Sequence, residues 1–153
     1  MAGRRLTITS GELASGTAAK TLLQLLAPAD AWLEPVSARI FFGGTNAAHA
    51  AHRIQLMKQT TAGTGGSAVT PAKILKADTD TVRSSALKDI SSAEPTYGDV
   101  LDEVWVDPNK GFYLWNFAQL GFLQLKAGER LAIVDLDPNG NDTPVTVSMD
   151  YVE

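Results

Sequence analysis

Val145-Thr-Val-Ser-Met-Asp-Tyr151, close to the C-terminus, alternates strictly: Val145, Val147, Met149 and Tyr151 on one parity, Thr146, Ser148 and Asp150 on the other. Successive side chains of a β-strand leave opposite faces, so this stretch predicts a strand with one face in a core and one in water. The pattern recurs along the chain. Leu6 and Ile8 alternate with Arg5, Thr7 and Thr9, and Val36, Ala38, Ile40 and Phe42 alternate with Ser37, Arg39 and Phe41. Ile54 and Leu56 alternate with Arg53, Gln55 and Met57; Val104 and Val106 flank Trp105; Leu131 and Ile133 flank Ala132. Further strands are expected near 20–26, 72–76, 86–90 and 122–126. Leu22-Leu-Gln-Leu-Leu26 is hemmed in by Thr21 and Pro28 and reads as a strand, not a helical turn.

The punctuation between these segments is that of a β-protein. Asp107 is followed by Pro108-Asn-Lys-Gly111 and Asp137 by Pro138-Asn-Gly140. Proline presets the second position of a turn, and glycine or asparagine suits the left-handed position that closes it. Two hairpins are therefore expected: 104–107 with 112–117, and 131–135 with 145–152. Residues 59–68, Gln-Thr-Thr-Ala-Gly-Thr-Gly-Gly-Ser-Ala, form a glycine-rich polar loop expected to be mobile or an exposed tip. Eight to ten strands without a convincing helix predict an all-β antiparallel β-sandwich, and a jelly roll fits the count better than a barrel. Residues 1–30 are read as an N-terminal arm with the first strands, reaching a neighbouring subunit, and 31–153 as the sandwich domain.

Composition narrows the function. The 153 residues suit one domain, and the content of 44% hydrophobic and 20% charged residues is that of a globular protein. A formal net charge of −4 argues against a nucleic-acid partner. The charge is uneven, +3 over residues 1–60 and −7 over 61–153, which could help head-to-tail packing or be scatter. Without cysteine there are no disulfides, thiolate metal sites or cysteine nucleophiles. No run reaches the roughly 20 apolar residues of a membrane span. Met1-Ala-Gly-Arg-Arg5 is basic, but no continuous apolar stretch follows, so synthesis and folding in a cytoplasm are expected.

Motifs of catalysis and ligation are sparse. Asp135-Leu-Asp-Pro-Asn-Gly-Asn-Asp142 matches the opening of a calcium loop, with oxygen ligands at alternate positions and glycine sixth. The twelfth position is Thr146 where a bidentate glutamate belongs, so the segment reads as a hairpin turn, with Asp135, Asp137 and Asn139 as weak cation candidates. His49 and His52, three apart, could share a helical face as zinc ligands, but they fall in an expected loop and lack a third ligand nearby. No Gly-x-Ser-x-Gly elbow or phosphate-cradling loop is present. Asp99, Asp102 and Glu103 read as a solvated strand edge, not an acid/base pair. No enzyme activity and no cofactor are expected.

The aromatics carry more information. Phe112-Tyr-Leu-Trp-Asn-Phe117 puts large side chains on both faces of one strand, with Trp105 on the neighbouring one. One face can fill the core; the other needs a cover or a partner. Sugar-binding sandwiches use the same residue types, because aromatic faces stack on pyranose rings. The expected partner surface comprises Trp105, Phe112, Tyr113, Trp115 and Phe117, with Arg4 and Arg5 from the arm.

Ala38-Arg-Ile-Phe-Phe-Gly-Gly-Thr45, then Ile54-Gln-Leu-Met-Lys-Gln-Thr-Thr-Ala-Gly-Thr-Gly-Gly66, Glu94-Pro-Thr96, Trp105 and the final Val-x-Val-x-x-x-Tyr strand resemble small structural proteins of tailed bacteriophages. The likeness spans roughly residues 36–152 through short, compositionally common elements. It implies a virion component of jelly-roll type: a head decoration or cement protein, a homo-oligomer expected to be a trimer, bound to the major capsid protein on the capsid surface. It transfers no catalytic residues. A carbohydrate-binding module or tail-associated receptor binder is the alternative.

Overall fold

A computed structural model describes residues 3–44, 50–119, 121, 123–138 and 142–153. The described residues contain eleven strands: β1 (Arg5–Ala14), β2 (Lys20–Leu26), β3 (Glu34–Phe42), β4 (His52–Gln59), β5 (Ser67–Val69), β6 (Ala72–Lys73), β7 (Ser85–Lys88), β8 (Tyr97–Val106), β9 (Phe112–Asn116), β10 (Arg130–Asp137) and β11 (Pro144–Val152). They make two antiparallel sheets, β6-β1-β11-β3-β9 and β5-β7-β2-β10-β4-β8, packed into a β-sandwich.

The alternation read from the sequence is what closes the core. From the five-stranded sheet, Leu6, Ile8, Ala38, Ile40, Phe42, Val145, Val147, Met149 and Tyr151 point inward. From the six-stranded sheet come Leu23, Leu25, Ile54, Leu56, Leu131 and Ile133. β11 lies between β1 and β3, which explains the cleanness of its pattern: a register slip of one residue would turn four buried apolar side chains into water. β10 holds the matching central place between β2 and β4. Its run Leu131-Ala-Ile-Val134 does not alternate because both faces are covered. Ala132 and Val134, on the outer side, form a second small cluster with Met57 and Leu136.

Both expected hairpins are corrected. β8 pairs with β4 at the edge of one sheet, whereas β9 pairs with β3 at the edge of the other. The turn at 107–111 is tight, with Gly111 N–H donating to the Asp107 carbonyl and Asn109 N–H to its carboxylate. It is a corner between sheets. Its left-handed residue is Lys110, at φ +61°, and not the glycine. β10 and β11 likewise belong to different sheets, and the connection at 139–141 lies outside the described residues. Turn residues encode a reversal of direction; which ladder the next strand joins depends on where its apolar face is buried.

Within residues 1–30 the first strands belong to the two sheets: β1 is sandwiched between β11 and β6, and β2 between β10 and β7. The glycine-rich 59–68 loop is largely exposed, as expected, but its backbone is tied to the 90–93 segment. Thr64 N–H donates to the Ala93 carbonyl at 3.0 Å and Ser92 N–H to the Thr64 carbonyl at 3.1 Å. A Cβ on Gly63 would collide with Ile90 and the Ala93 carbonyl, and Gly65 adopts φ +76° against Ser92. These glycines permit close backbone approach. The expected strand at 122–126 is reduced to a bridge between Leu125 and Leu33, with residue 122 outside the described set.

Candidate functional site

Strand parity divides the expected partner surface. On β9, Trp115 and then Phe117 just beyond it face inward and are 2% and 1% exposed. Tyr113 is half-buried and meets Trp115 edge-to-face, ring centroids 4.9 Å apart. The Trp115 indole N–H donates to Asp102 Oδ2 on β8 at 2.9 Å, tying the two open edges of the sandwich together. Phe112 faces outward from the five-stranded sheet, 56% exposed, while Trp105 faces outward from the six-stranded sheet, 59% exposed. The two therefore look in opposite directions. Arg4 is engaged within the chain, with Asp78 at 2.7 Å, Asp80 and Glu153; Arg5 is exposed.

Phe112 has two companions that the sequence reading did not assign to the surface. Phe41 on β3 is its antiparallel partner, 47% exposed, and Leu114 shares its parity, 48% exposed. The signal was available, since Phe41 sits on the polar parity with Ser37 and Arg39. The three make an apolar patch across β3 and β9. Arg39 stands opposite Leu114 and donates through Nε to Ser148 Oγ at 2.6 Å. Thr146 lies beside Phe41 on β11. The patch is thus bare apolar surface with a polar margin.

The candidate ligands do not assemble as expected. Asp135 is directed into the core, fully buried, with its Oδ2 2.6 Å from Nδ1 of the equally buried His52. The Phe42 ring lies 4.7 Å from the His52 ring. Among the described residues, His52 Nε2 and Asp135 Oδ1 have no hydrogen-bond partner. Burial pushes the Asp135 carboxyl up, against the contact with His52 that pulls it down. Asp137 sits opposite Arg53 after a register slip, while Asn139 and His49 lie outside the described residues. Among the described residues no three histidine, aspartate or glutamate side chains converge as a metal site would need.

The Glu94-Pro-Thr segment does have a definable place. Glu94 Oε2 accepts from Thr21 N–H at 2.8 Å and from Thr21 Oγ1 at 2.6 Å. Thr21 Oγ1 in turn accepts from Gln59 Nε2, and Gln24 Nε2 donates to Gln59 Oε1 at 2.6 Å and to the Thr61 carbonyl. This network clips the 60–96 excursion onto the outer face of the six-stranded sheet. Burial, with Glu94 alongside, pushes the Tyr97 hydroxyl up to about 12.

No protein-family model matches the chain, and neither the curated proteins nor the solved structures include a significant match.

Proposed function

We propose that this chain is a non-enzymatic structural subunit that self-associates through the outer face of its five-stranded sheet. The exposed trio Phe41, Phe112 and Leu114 carries the reading. Covering one large apolar side chain is worth about 1.5–3 kcal/mol, so three of them repeated about a symmetry axis can hold an oligomer. The sheet edges favour a face over an edge as the contact. β9 is only five residues long, and β8 is broken by register shifts and carries Asp99, Asp102 and Glu103, features that resist edge pairing.

The bacteriophage resemblance gives the proposal its specific form, a head-decoration protein that trimerises and cements the major capsid protein lattice on the virion. The jelly-roll reading fits alongside it. The eight principal strands order themselves as β1-β11-β3-β9 and β2-β10-β4-β8, so that successive strands up to β4, and again from β8 onward, cross between sheets except where β8 follows β4. β5, β6 and β7 extend the opposite edges.

Light scattering on a sizing column over a range of concentrations tests the assembly. The expected result is a species near three times 16.3 kDa that Phe41→Ser with Phe112→Ser converts to monomer. A monomer at every concentration defeats self-association in solution. Co-sedimentation with expanded capsids then tests the cement reading directly, and failure to bind them removes it.

A further inference from the structure

The opposite face of the sandwich carries a second, differently built surface. Trp105 stands outward on β8, and its partner across the ladder is Arg53 of β4; the next pair on the same face is Glu103 with Gln55. Paired side chains lie about 5 Å apart across a ladder. Successive same-face pairs lie about 7 Å apart along it. A ring the size of one pyranose therefore fits on the indole while its edge reaches the polar side chains.

Those side chains are already held in place. Glu103 Oε2 accepts from Arg53 Nε at 3.0 Å and from Gln55 Nε2, with Arg53 Nη2 at 2.9 Å. Hydrogen bonds from Arg53 and then Gln55 keep the Glu103 carboxyl below its ordinary range. Arg53 Nη1, Glu103 Oε1 and the Gln55 amide oxygen take no hydrogen-bond partner among the described residues. One donor group on Arg53 and one acceptor on Glu103, side chains 41% and 34% exposed, are thus left beside an exposed aromatic plane, while Gln55, 7% exposed, holds Glu103 in place. Vicinal hydroxyls, each both donor and acceptor, complement that set, and the apolar face of a pyranose complements the indole.

We infer that Trp105, Arg53, Gln55 and Glu103 form a binding site for a neutral pyranose sugar. Charge selects neutral over anionic ligands: Asp99 shares the strand with Glu103, and Asp137 lies opposite Arg53, so a phosphate or sialic acid meets carboxylates beside the one guanidinium. The site is on the other sheet from Phe41, Phe112 and Leu114 and does not depend on self-association.

The test is a ¹H–¹⁵N titration of the full chain, read at its three tryptophan indole signals. The probes are the methyl pyranosides of glucose, galactose, mannose and N-acetylglucosamine and their soluble oligosaccharides. The expected result is a saturable shift of the Trp105 signal with at least one of them, while buried Trp115 stays put. Trp105→Ala should weaken binding at least about tenfold, Arg53→Met measurably, and Trp32→Ala not at all. No saturable shift with any sugar overturns the inference, as does binding that survives Trp105→Ala. Tighter binding of sialyllactose or inorganic phosphate than of any neutral sugar overturns the ligand class.

Discussion

Two carboxylates are almost sealed from water in this sandwich, and they stand in opposite circumstances. Asp135 lies near the end of β10 that leads toward β11, and Glu153 follows β11 at the far end. Glu153 is held from several directions. It accepts from Ser84 Oγ at 2.6 Å and from the Ser84 and Arg83 N–H groups at 2.9 and 3.0 Å, with Arg4 at 3.4 Å. Burial alone would raise its carboxyl, but these donors, led by Ser84, hold it below the ordinary range. Asp135 has one described side-chain partner, His52, and an oxygen left over, and burial wins. The difference is one of donor count: a buried charge is tolerated when its lone pairs are filled and resisted when they are not.

The largest effect should come from breaking the poorer pair. Asp135→Ala leaves His52 buried with both ring nitrogens unmatched, and removing one member of such a pair costs about 3–5 kcal/mol. At about 2–4 °C per kcal/mol for a chain of this size, the melting temperature should fall by roughly 6–20 °C in a thermal melt. Replacing both residues with leucine should recover most of that loss, because a half-satisfied polar pair is worth little more than a well-packed apolar one. A double variant as unstable as the single one would show that the pair is required as it stands.

Glu153→Ala comes next. It strips acceptors from Ser84 and Arg83 at the chain's closing strand, and orphaning such donors costs about 1–3 kcal/mol. Fraying of β1 against β11 should accompany it, because Arg4 and Glu153 also exchange backbone hydrogen bonds of 2.8 Å each way. Faster amide exchange at Arg4–Leu6 in the variant checks this. Unchanged exchange there would place the cost of the substitution elsewhere.

The two carboxylates should also separate in pH dependence, with opposite signs. Asp135 has a raised carboxyl, so its contribution is fully present below the unfolded value of about 4 and is lost as pH rises through the folded value. Glu153 is lowered, so its contribution is present above the unfolded value of about 4.3 and is lost as pH falls through the folded one. Asp135→Asn should therefore gain on the parent as pH climbs from about 4 toward neutrality. Glu153→Gln should approach the parent as pH drops below about 4. Parallel curves for the two variants would remove the distinction drawn between the sites.

Much of this architecture could be read from local pattern, and the rest was hidden for definite reasons. The strands Ala38–Phe42, Ile54–Leu56 and Val145–Tyr151 announce their inward faces by parity, and those faces are the core; at Val36 a register slip breaks the pattern. Parity also carried information that went unused: Asp135 continues Leu131 and Ile133, and His52 precedes Ile54 and Leu56, on the inward register. What no local pattern supplies is that these two, 83 residues apart, meet. Pairing partners were hidden for the same reason. Asp107-Pro-Asn-Lys-Gly111 specifies a turn equally well within a sheet or between sheets. The glycines at 63–66 did not announce their close packing on Ile90 and Ser92, because small residues serve a crowded backbone as well as an open loop. The aromatics were grouped by type when exposure is decided by face, which leaves Phe41 and Leu114 open to water and sends Trp115 inward.

The smallest stability effect should belong to that surface, and the contrast with the buried pair sharpens what each is for. Phe41→Ser and Phe112→Ser alter side chains about half open to water, paired with each other across one rung of the ladder. Removing them from a monomer costs little beyond a cross-strand contact of roughly 0.2–1 kcal/mol. In an oligomer the same substitutions expose polar groups to a face that needs apolar ones, so stability should become concentration-dependent in the parent and lose that dependence in the variant. Melting temperatures measured across a hundredfold range of protein concentration test this. A rise with concentration in the parent and a flat line in the double variant locate the patch's value in association. A flat line in both, at every concentration, would make Phe41, Phe112 and Leu114 ordinary exposed side chains.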